Sequence, residues 1–116
     1  MKARPSPPLC LTLAEPPSAN RWWRKWRNRM VLSKEARAYK MQFWANLVHP
    51  PKTGPVAVTL KWYRSRKSGD LDKRIGVVLD TLQGFAYVND KQIVRLVAER
   101  YDDPKHPRIE IIVEDV

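Results

Sequence analysis

The chain has 116 residues, 43% of them apolar, which suits one domain with its own hydrophobic core. Its apolar stretches are only a few residues long, whereas a membrane-spanning helix needs about 20. One cysteine, Cys10, excludes an internal disulfide and a multi-cysteine zinc site. The proline-rich start, residues 1–8, predicts a disordered segment rather than a signal peptide, so we expect a cytoplasmic protein with no membrane partner.

The charge is strongly basic and unevenly distributed. The 22 Lys and Arg residues outnumber the 12 Asp and Glu, and the net charge of +10 is typical of a protein with a polyanionic partner, most often nucleic acid. Residues 1–68 carry 15 basic and 2 acidic side chains, whereas residues 69–116 carry 7 basic and 10 acidic. Carboxylates repel phosphate, so a protein that only coats DNA has little use for a net-acidic half. Charge alone leaves open that the basic and the acidic halves are both ordinary solvated surfaces.

The first half of the chain predicts a strand and a helix with a basic aromatic segment between them. Period-two alternation predicts a strand at 9–13, before a proline-containing loop. The segment 21–29, RWWRKWRNR, then carries five basic residues, three tryptophans and no acid. Ser33 is a candidate N-cap for a helix over 34–48, which Pro50-Pro51 would end.

The second half predicts a strand, a helix and two further strands. Alternating apolar residues indicate a strand at 56–63, and a basic loop, 64–69, follows it. A second helix should begin at Asp70 and end before Gly84. Its apolar stripe consists of Leu71, Ile75, Val78, Leu79 and Leu82.

The last predicted strands are 92–101 and 109–113. The order strand-helix-strand-helix-strand-strand indicates an α+β fold, in which a small mixed β-sheet packs with two main helices. One domain, residues 9–116, would hold all of these elements.

Four aspartates lie within 21 residues of the second half: Asp70, Asp72, Asp80 and Asp90. Carboxylate oxygens are the ligands that Mg²⁺ takes in enzymes that hydrolyse phosphodiesters. Asp70 and Asp72 would project from the start of the second helix, and we expect the helix and its loop to return Asp90 to that point. Three carboxylates so gathered repel one another unless a cation lies among them. Asp80 lies ~12 Å along the helix from Asp72, too far to share one ion.

Ordinary capping and turn chemistry offers an alternative explanation of the same aspartates. Asp is favoured at a helix N-cap and in the first turn, and Asn89-Asp90 is a common turn pair. On spacing alone, a metal site and plain capping both stay open. The sequence contains no Ser-His-Asp order, GxGxxG or P-loop, so we expect no small-molecule substrate.

Several motifs resemble those of RusA-type Holliday-junction resolvases, which are crossover junction endodeoxyribonucleases. The resemblance covers about residues 9–114, in the same order and spacing. The matching motifs are PPSANRWW at 16–23, LSKEARAY at 32–39, GDLD at 69–72, VLDTLQG at 78–84 and NDKQI at 89–93.

The resemblance implies an α+β homodimer that binds four-way DNA junctions and nicks two opposing strands with Mg²⁺, for which Mn²⁺ can substitute. A four-way junction has approximate two-fold symmetry, which suits a dimer with two equivalent sites. Asp70, Asp72 and Asp90 match the family's essential acidic triad, and the resemblance therefore implies that they are catalytic and bind the metal.

The sequence departs from the family pattern near this triad. The family usually has Asn directly after the Asp-x-Asp and Lys three residues further on, where this chain has Lys73 and Gly76. If that lysine neutralises charge on the attacked phosphate, Lys73 or Arg74 can substitute from the same turn. We assign Lys73 as the catalytic cation. Where the family often shows two adjacent acids, this chain has Asn89-Asp90.

Two basic segments are predicted to bind DNA. Basic side chains neutralise phosphates, and tryptophan rings stack on unpaired bases for ~1–3 kcal/mol each. Alternatively, Trp22, Trp23 and Trp26 pack in the core or in a dimer interface, where Trp is enriched. The predicted DNA-contacting residues are Arg21, Arg24, Lys25, Arg27, Arg29, Arg66 and Lys67.

The sequence thus predicts a Mg²⁺-dependent endodeoxyribonuclease that resolves four-way junctions by paired symmetric nicks in DNA recombination or repair. The alternative, from a different class, is a non-catalytic, structure-selective DNA-binding protein whose aspartates only cap a helix and form a turn. Cleavage of a junction in the presence of a divalent metal distinguishes the two.

Overall fold

In the computed structural model, which describes residues 7–44, 50–67 and 70–116, helix α2 covers one face of a four-stranded sheet and helix α1 packs against α2. Most of the predicted disordered segment and the last residues predicted for the first helix lie outside the described residues. The elements are β1 Leu9–Leu13, β2 Trp23–Trp26, β3 Arg29–Leu32, α1 Lys34–Trp44, β4 Val56–Arg64, α2 Leu71–Leu82, β5 Ile93–Asp102 and β6 Arg108–Asp115. The predicted α+β fold, with a mixed sheet and two helices in one domain, is confirmed.

The sheet has the strand order β1-β6-β4-β5, and only β4 and β5 run parallel. Parallel neighbours need a crossover connection, and α2 with its two loops forms it. Helix α2 therefore runs back along the sheet, from the end of β4 to the start of β5. The direction of α2 decides where its acidic residues lie.

The core between the sheet and α2 follows the predicted periodicities. Every second residue of β4 from Val56 to Trp62 is buried, as are Ile109, Ile111 and Val113 on β6. On α2, Val78 and Leu82 join this core, and burying each such aliphatic side chain contributes ~1.5–3 kcal/mol.

A second buried row on α2 was not part of the predicted stripe. Val77 is buried against Trp22, Ala36 and Tyr39, because α1 and the segment before β2 cover this side of the helix. Thr81 is also buried, and its hydroxyl donates to the Val77 carbonyl oxygen at 3.0 Å. The helix is therefore enclosed on two sides, whereas the stripe predicts only one.

Local contacts confirm the predicted start of α1 and the predicted end of α2. Ser33 caps α1, since its Oγ accepts a hydrogen bond from the Ala36 N–H at 3.0 Å. Gly84 follows α2 with a φ of 82°, the left-handed conformation that ends a helix. Cys10 is exposed, because it faces away from the helices on an edge strand.

The basic aromatic segment, for which no element is predicted, forms a β-hairpin of β2 and β3 separate from the main sheet. Arg27 and Asn28 form its two-residue turn, and Arg27 has a φ of 54°. Among the described residues, no helix is both long and apolar enough to span a lipid bilayer.

Candidate active site and nucleic-acid interface

Two of the predicted metal ligands lie together at the start of α2. Asp70 is the N-cap residue, with extended backbone, and Asp72 lies in the first turn. Both are exposed. The Asp70 side chain accepts no capping hydrogen bond from the first turn, residues 71–74, all of which the structure describes. Because a capping aspartate uses its carboxylate on that turn, plain capping does not account for Asp70.

The two candidate replacements for the family lysine have opposite orientations. Lys73 is exposed, and its Nζ lies 3.8 Å from an Asp70 carboxylate oxygen in a solvated, weak ion pair. Arg74 points inward, where its guanidinium lies 4.5 Å from the centre of the Trp62 ring and donates to the Pro16 carbonyl oxygen. Lys73 is therefore the cation of this turn that can reach a bound phosphate.

A partly buried hydrogen-bond network around Glu15 supports the start of the loop between β4 and Asp70. The Glu15 carboxylate accepts hydrogen bonds from Trp62 Nε1 at 2.9 Å, from the Ser65 N–H at 3.0 Å and from Ser65 Oγ at 2.7 Å. Burial by itself raises the pKa of Glu15, but these hydrogen bonds outweigh it and the net pKa lies below the usual value. No motif in the sequence predicts the role of Glu15, whose one signal is that it is among only two acids in the first 68 residues.

Asp90 lies at the other end of α2. Its N–H donates to Oε1 of Gln83, the residue that ends the helix, at 3.1 Å. In the same turn, Gln92 Nε2 donates to the carbonyl oxygens of Lys52 and Gly54 at 2.8 Å each, just before β4 begins. Asp90 is therefore beside the start of β4, whereas Asp70 follows its end.

The expectation that Asp90 returns to the start of the same helix is thus wrong. The 12 residues of α2 separate the two positions by ~18 Å, because the helix is a crossover between parallel strands. Within the described parts of one chain, no three His, Cys, Asp or Glu side chains form a group that could hold a metal ion. The assignment of Asp90 as a ligand stays a prediction that one chain alone does not satisfy.

Asp80, the fourth aspartate, has a structural role near the end of α2. Its carboxylate accepts a 2.8 Å hydrogen bond from Trp22 Nε1 and lies 3.1 Å from Lys40 Nζ on α1. Burial, and then the charges of Asp90 and Asp80, raise the pKa of Tyr87 at the same end of the helix. Asp80 therefore holds α1 and the segment before β2 against α2.

The predicted DNA-contacting residues are exposed. Arg66 and Lys67 belong to the loop just before α2, near Asp70, and the other five lie in or beside the β2–β3 hairpin. Of the three tryptophans, Trp22 packs in the core, and the exposure of Trp23 and Trp26 is compatible with stacking on DNA and with a dimer interface. Trp22 is 1% exposed and packs edge-on against Tyr39, whereas Trp23 and Trp26 are exposed.

The donor set at the start of α2 suits Mg²⁺. Two exposed carboxylates provide the hard oxygen atoms that this ion prefers, and the helix backbone does not occupy the carboxylate of Asp70. A small α+β domain that presents such a pair beside basic loops belongs to the class of nucleic-acid-processing proteins.

Residues 14–114 match the family model described as endodeoxyribonuclease RusA. The chain therefore belongs to the RusA family of endodeoxyribonucleases, which confirms the resemblance found in its sequence motifs. No curated protein matches the chain in a sequence search. Membership makes the protein a nuclease by family and implies activity on Holliday junctions.

Proposed function

We propose that this protein is a cytoplasmic, Mg²⁺-dependent endodeoxyribonuclease that resolves four-way DNA junctions by paired nicks, as a homodimer. The observation that carries the proposal is the family match over residues 14–114, which includes both ends of α2 and all three predicted acids. The exposed Asp70 beside Asp72 supports the proposal independently. Its side chain makes no capping hydrogen bond, whereas a structural aspartate at this position would cap the helix.

Asp70 and Asp72 would hold the metal ion from the start of α2. When bound, Mg²⁺ supplies positive charge that polarises a phosphate and makes water more acidic. Lys73 is the proposed catalytic cation, since its ammonium group is exposed next to Asp70 and can neutralise charge on the attacked phosphate. Arg74 instead stays beneath the site, against the Trp62 ring.

Asp90 would complete the site from a second copy of the chain. Within one chain it is separated from Asp70 by the length of α2. A two-fold axis perpendicular to the helix reverses the partner, so the end of one α2 comes level with the start of the other. Each of the two equivalent sites would then combine Asp70 and Asp72 of one subunit with Asp90 of the other subunit.

The edge strand β5 supports this arrangement. It begins three residues after Asp90 and, among the described strands, pairs only with β4. Val94 and Leu96 are 62% and 41% exposed there, which is unusual for apolar side chains on an unpaired edge. Antiparallel association of two β5 strands would cover these side chains and bring each Asp90 towards the partner's end of β4, where α2 starts.

DNA contact is proposed for the seven exposed basic residues named from the sequence. Arg66 and Lys67 adjoin the proposed metal site, where they can hold the phosphates next to the cut. The other five residues lie in or beside the β2–β3 hairpin, where they add exposed positive charge. Such contacts are independent of base sequence and weaken as salt concentration rises.

The non-catalytic alternative is favoured by one observation: the described residues of one chain gather no three metal-binding side chains. A labelled synthetic four-way junction distinguishes the two functions. We expect paired nicks in opposing strands with Mg²⁺, and binding without cleavage in EDTA. A junction that is bound but stays uncut in both Mg²⁺ and Mn²⁺ would support the non-catalytic protein instead.

A further inference from the structure

The β2–β3 hairpin forms a sheet of its own and, among the described residues, is hydrogen-bonded to the rest of the domain at its base. A two-stranded hairpin alone is at best marginally stable in water, so its attachment determines its position. At the base, the Ser33 N–H donates to the Trp22 carbonyl oxygen at 2.8 Å, and Ser33 Oγ donates to the Arg21 carbonyl oxygen. Trp22 itself is buried. The rest of the hairpin, from Trp23 to Met30, is exposed.

One face of the hairpin combines an indole with guanidinium groups. Trp26 is directly opposite Arg29 in the antiparallel register, and Arg24 lies on the same face two residues away. The guanidinium carbons of Arg27 and Arg29 lie 4.5 and 5.8 Å from the centre of the Trp26 ring. Cation–π attraction of this kind orients the ring while leaving the side chain 41% exposed.

The turn keeps Arg27 in this position at an energetic cost. Its φ of 54° is in the left-handed region, which is unfavourable for a long side chain and favours Gly or Asn. The turn thus places a third cation over the Trp26 ring, from the two-residue turn of the hairpin.

The charge of this surface indicates what can cover it. The segment 21–32 carries five basic residues and no acid, so two hairpins from two copies of the chain would repel each other. A polyanion is complementary to it. An exposed ring framed by cations fits a nucleic-acid base between its flanking phosphates. Base faces are covered inside a duplex and accessible where strands separate.

We propose that Trp26 stacks on an unpaired base at the branch point of the DNA, while Arg24, Arg27 and Arg29 contact the flanking phosphates. The choice of branched DNA as the ligand rests on the proposed function, whereas the stacking of Trp26 on an unpaired base does not. Trp26 then makes the protein selective for branched over linear DNA, whereas the arginines strengthen binding to both.

The test compares Trp26→Ala with wild type in EDTA, on a four-way junction and on a linear duplex of the same sequence. We expect the affinity for the junction to fall about 5- to 150-fold, which corresponds to ~1–3 kcal/mol of stacking, and the affinity for the duplex to change less than about twofold. Trp26→Phe should keep most of the preference. Met30→Ala is the matched control, since Met30 is exposed on the opposite face of the same hairpin.

Three results would overturn the inference. Trp26→Ala could leave junction affinity unchanged, or lower the affinities for junction and duplex equally, and in both cases the hairpin only binds phosphates. It could instead dissociate a dimer in analytical ultracentrifugation, and the hairpin would then be an interface between copies. If wild type shows no preference for junctions, the proposed function fails, and a single-stranded oligonucleotide still tests whether Trp26 stacks.

Discussion

The two ends of α2 carry the same residue type in different surroundings. At the start, Asp70 and Asp72 are exposed, and the carboxylate of Asp70 caps none of the described first turn. Near the end, Asp80 binds the indole of Trp22 and the ammonium group of Lys40. The partners of a carboxylate, rather than its position on a helix, therefore distinguish an acid that stabilises the fold from one that is available for chemistry.

The largest effect should come from removing a carboxylate at the start of the helix. Asp72→Asn should lower the single-turnover cleavage rate at least about 100-fold, since even partners of metal ligands are worth about 10- to 100-fold. Junction affinity should stay the same or rise, because the lost charge opposed phosphate. Rates and affinities measured on one synthetic junction check both parts. Cleavage within threefold of wild type would remove Asp72 from the site.

Lys73 and Gly76 test which cation serves the same end of the helix. Lys73→Ala should lower the single-turnover rate about 10- to 100-fold, because it removes a charge that stabilises the transition state. Adding Gly76→Lys to that variant should restore part of the rate. Position 76 is one turn from Lys73 on a neighbouring face, and among the described residues nothing beyond the helix's own backbone and the two chain neighbours lies within 4 Å of a Cβ atom added there.

The matched control for this pair is Gly76→Ala in the Lys73→Ala background. It should raise stability by ~1 kcal/mol without restoring cleavage, since it improves helix propensity and adds no charge. Equal rescue by alanine and lysine would mean that helix stability, and not a cation, limits the reaction.

At the other end of the helix, Asp80→Ala should affect stability and not chemistry. It leaves the buried Trp22 Nε1 without its acceptor, so the free energy of unfolding should fall by ~1–3 kcal/mol in urea titrations. Asp80→Asn keeps an acceptor oxygen and should recover part of that loss. The cleavage rate of the folded variants should stay near wild type. A rate as low as that of Asp72→Asn would contradict the structural role of Asp80.

The smallest effect concerns Glu15, which braces the loop before Asp70. Its pKa is lower in the folded protein than in the unfolded chain, so its charge stabilises the fold above its usual pKa of 4.5, and this contribution is lost as pH falls below that value. The free energy of unfolding should therefore be higher for wild type than for Glu15→Gln, and this difference should be larger at pH 7 than at pH 3. A difference that does not change with pH would contradict the pKa shift.

Regular burial explains which elements could be predicted from the sequence. Strand β4 and helix α2 each bury a periodic set of apolar residues, so their patterns predicted them. The β2–β3 hairpin is exposed on nearly all of its length, and strands without a buried face show no period-two pattern. The Glu15 network joins residues 47 and 50 positions apart, which local patterns do not reveal.

The position of Asp90 could not be predicted for a different reason. Spacing made the three acids candidates and the family resemblance assigned them, but the position to which Asp90 returns depends on whether β5 runs parallel or antiparallel to β4. The alternating patterns of the two strands are compatible with both directions. Parallel pairing places Asp90 at the far end of α2 and turns an expected one-chain site into a proposed two-chain site.

Mixing two inactive variants tests the two-chain site most directly. Asp72→Asn and Asp90→Asn should each be inactive alone, whereas a heterodimer of the two has one intact site, formed by Asp72 of one chain and Asp90 of the other. Random mixing makes half of the dimers heterodimers, so we expect about a quarter of the wild-type sites and single nicks instead of paired ones. Mixing Asp70→Asn with Asp72→Asn is the control and should restore nothing. Confirmed heterodimers of Asp72→Asn and Asp90→Asn that stay inactive would contradict a site shared between subunits.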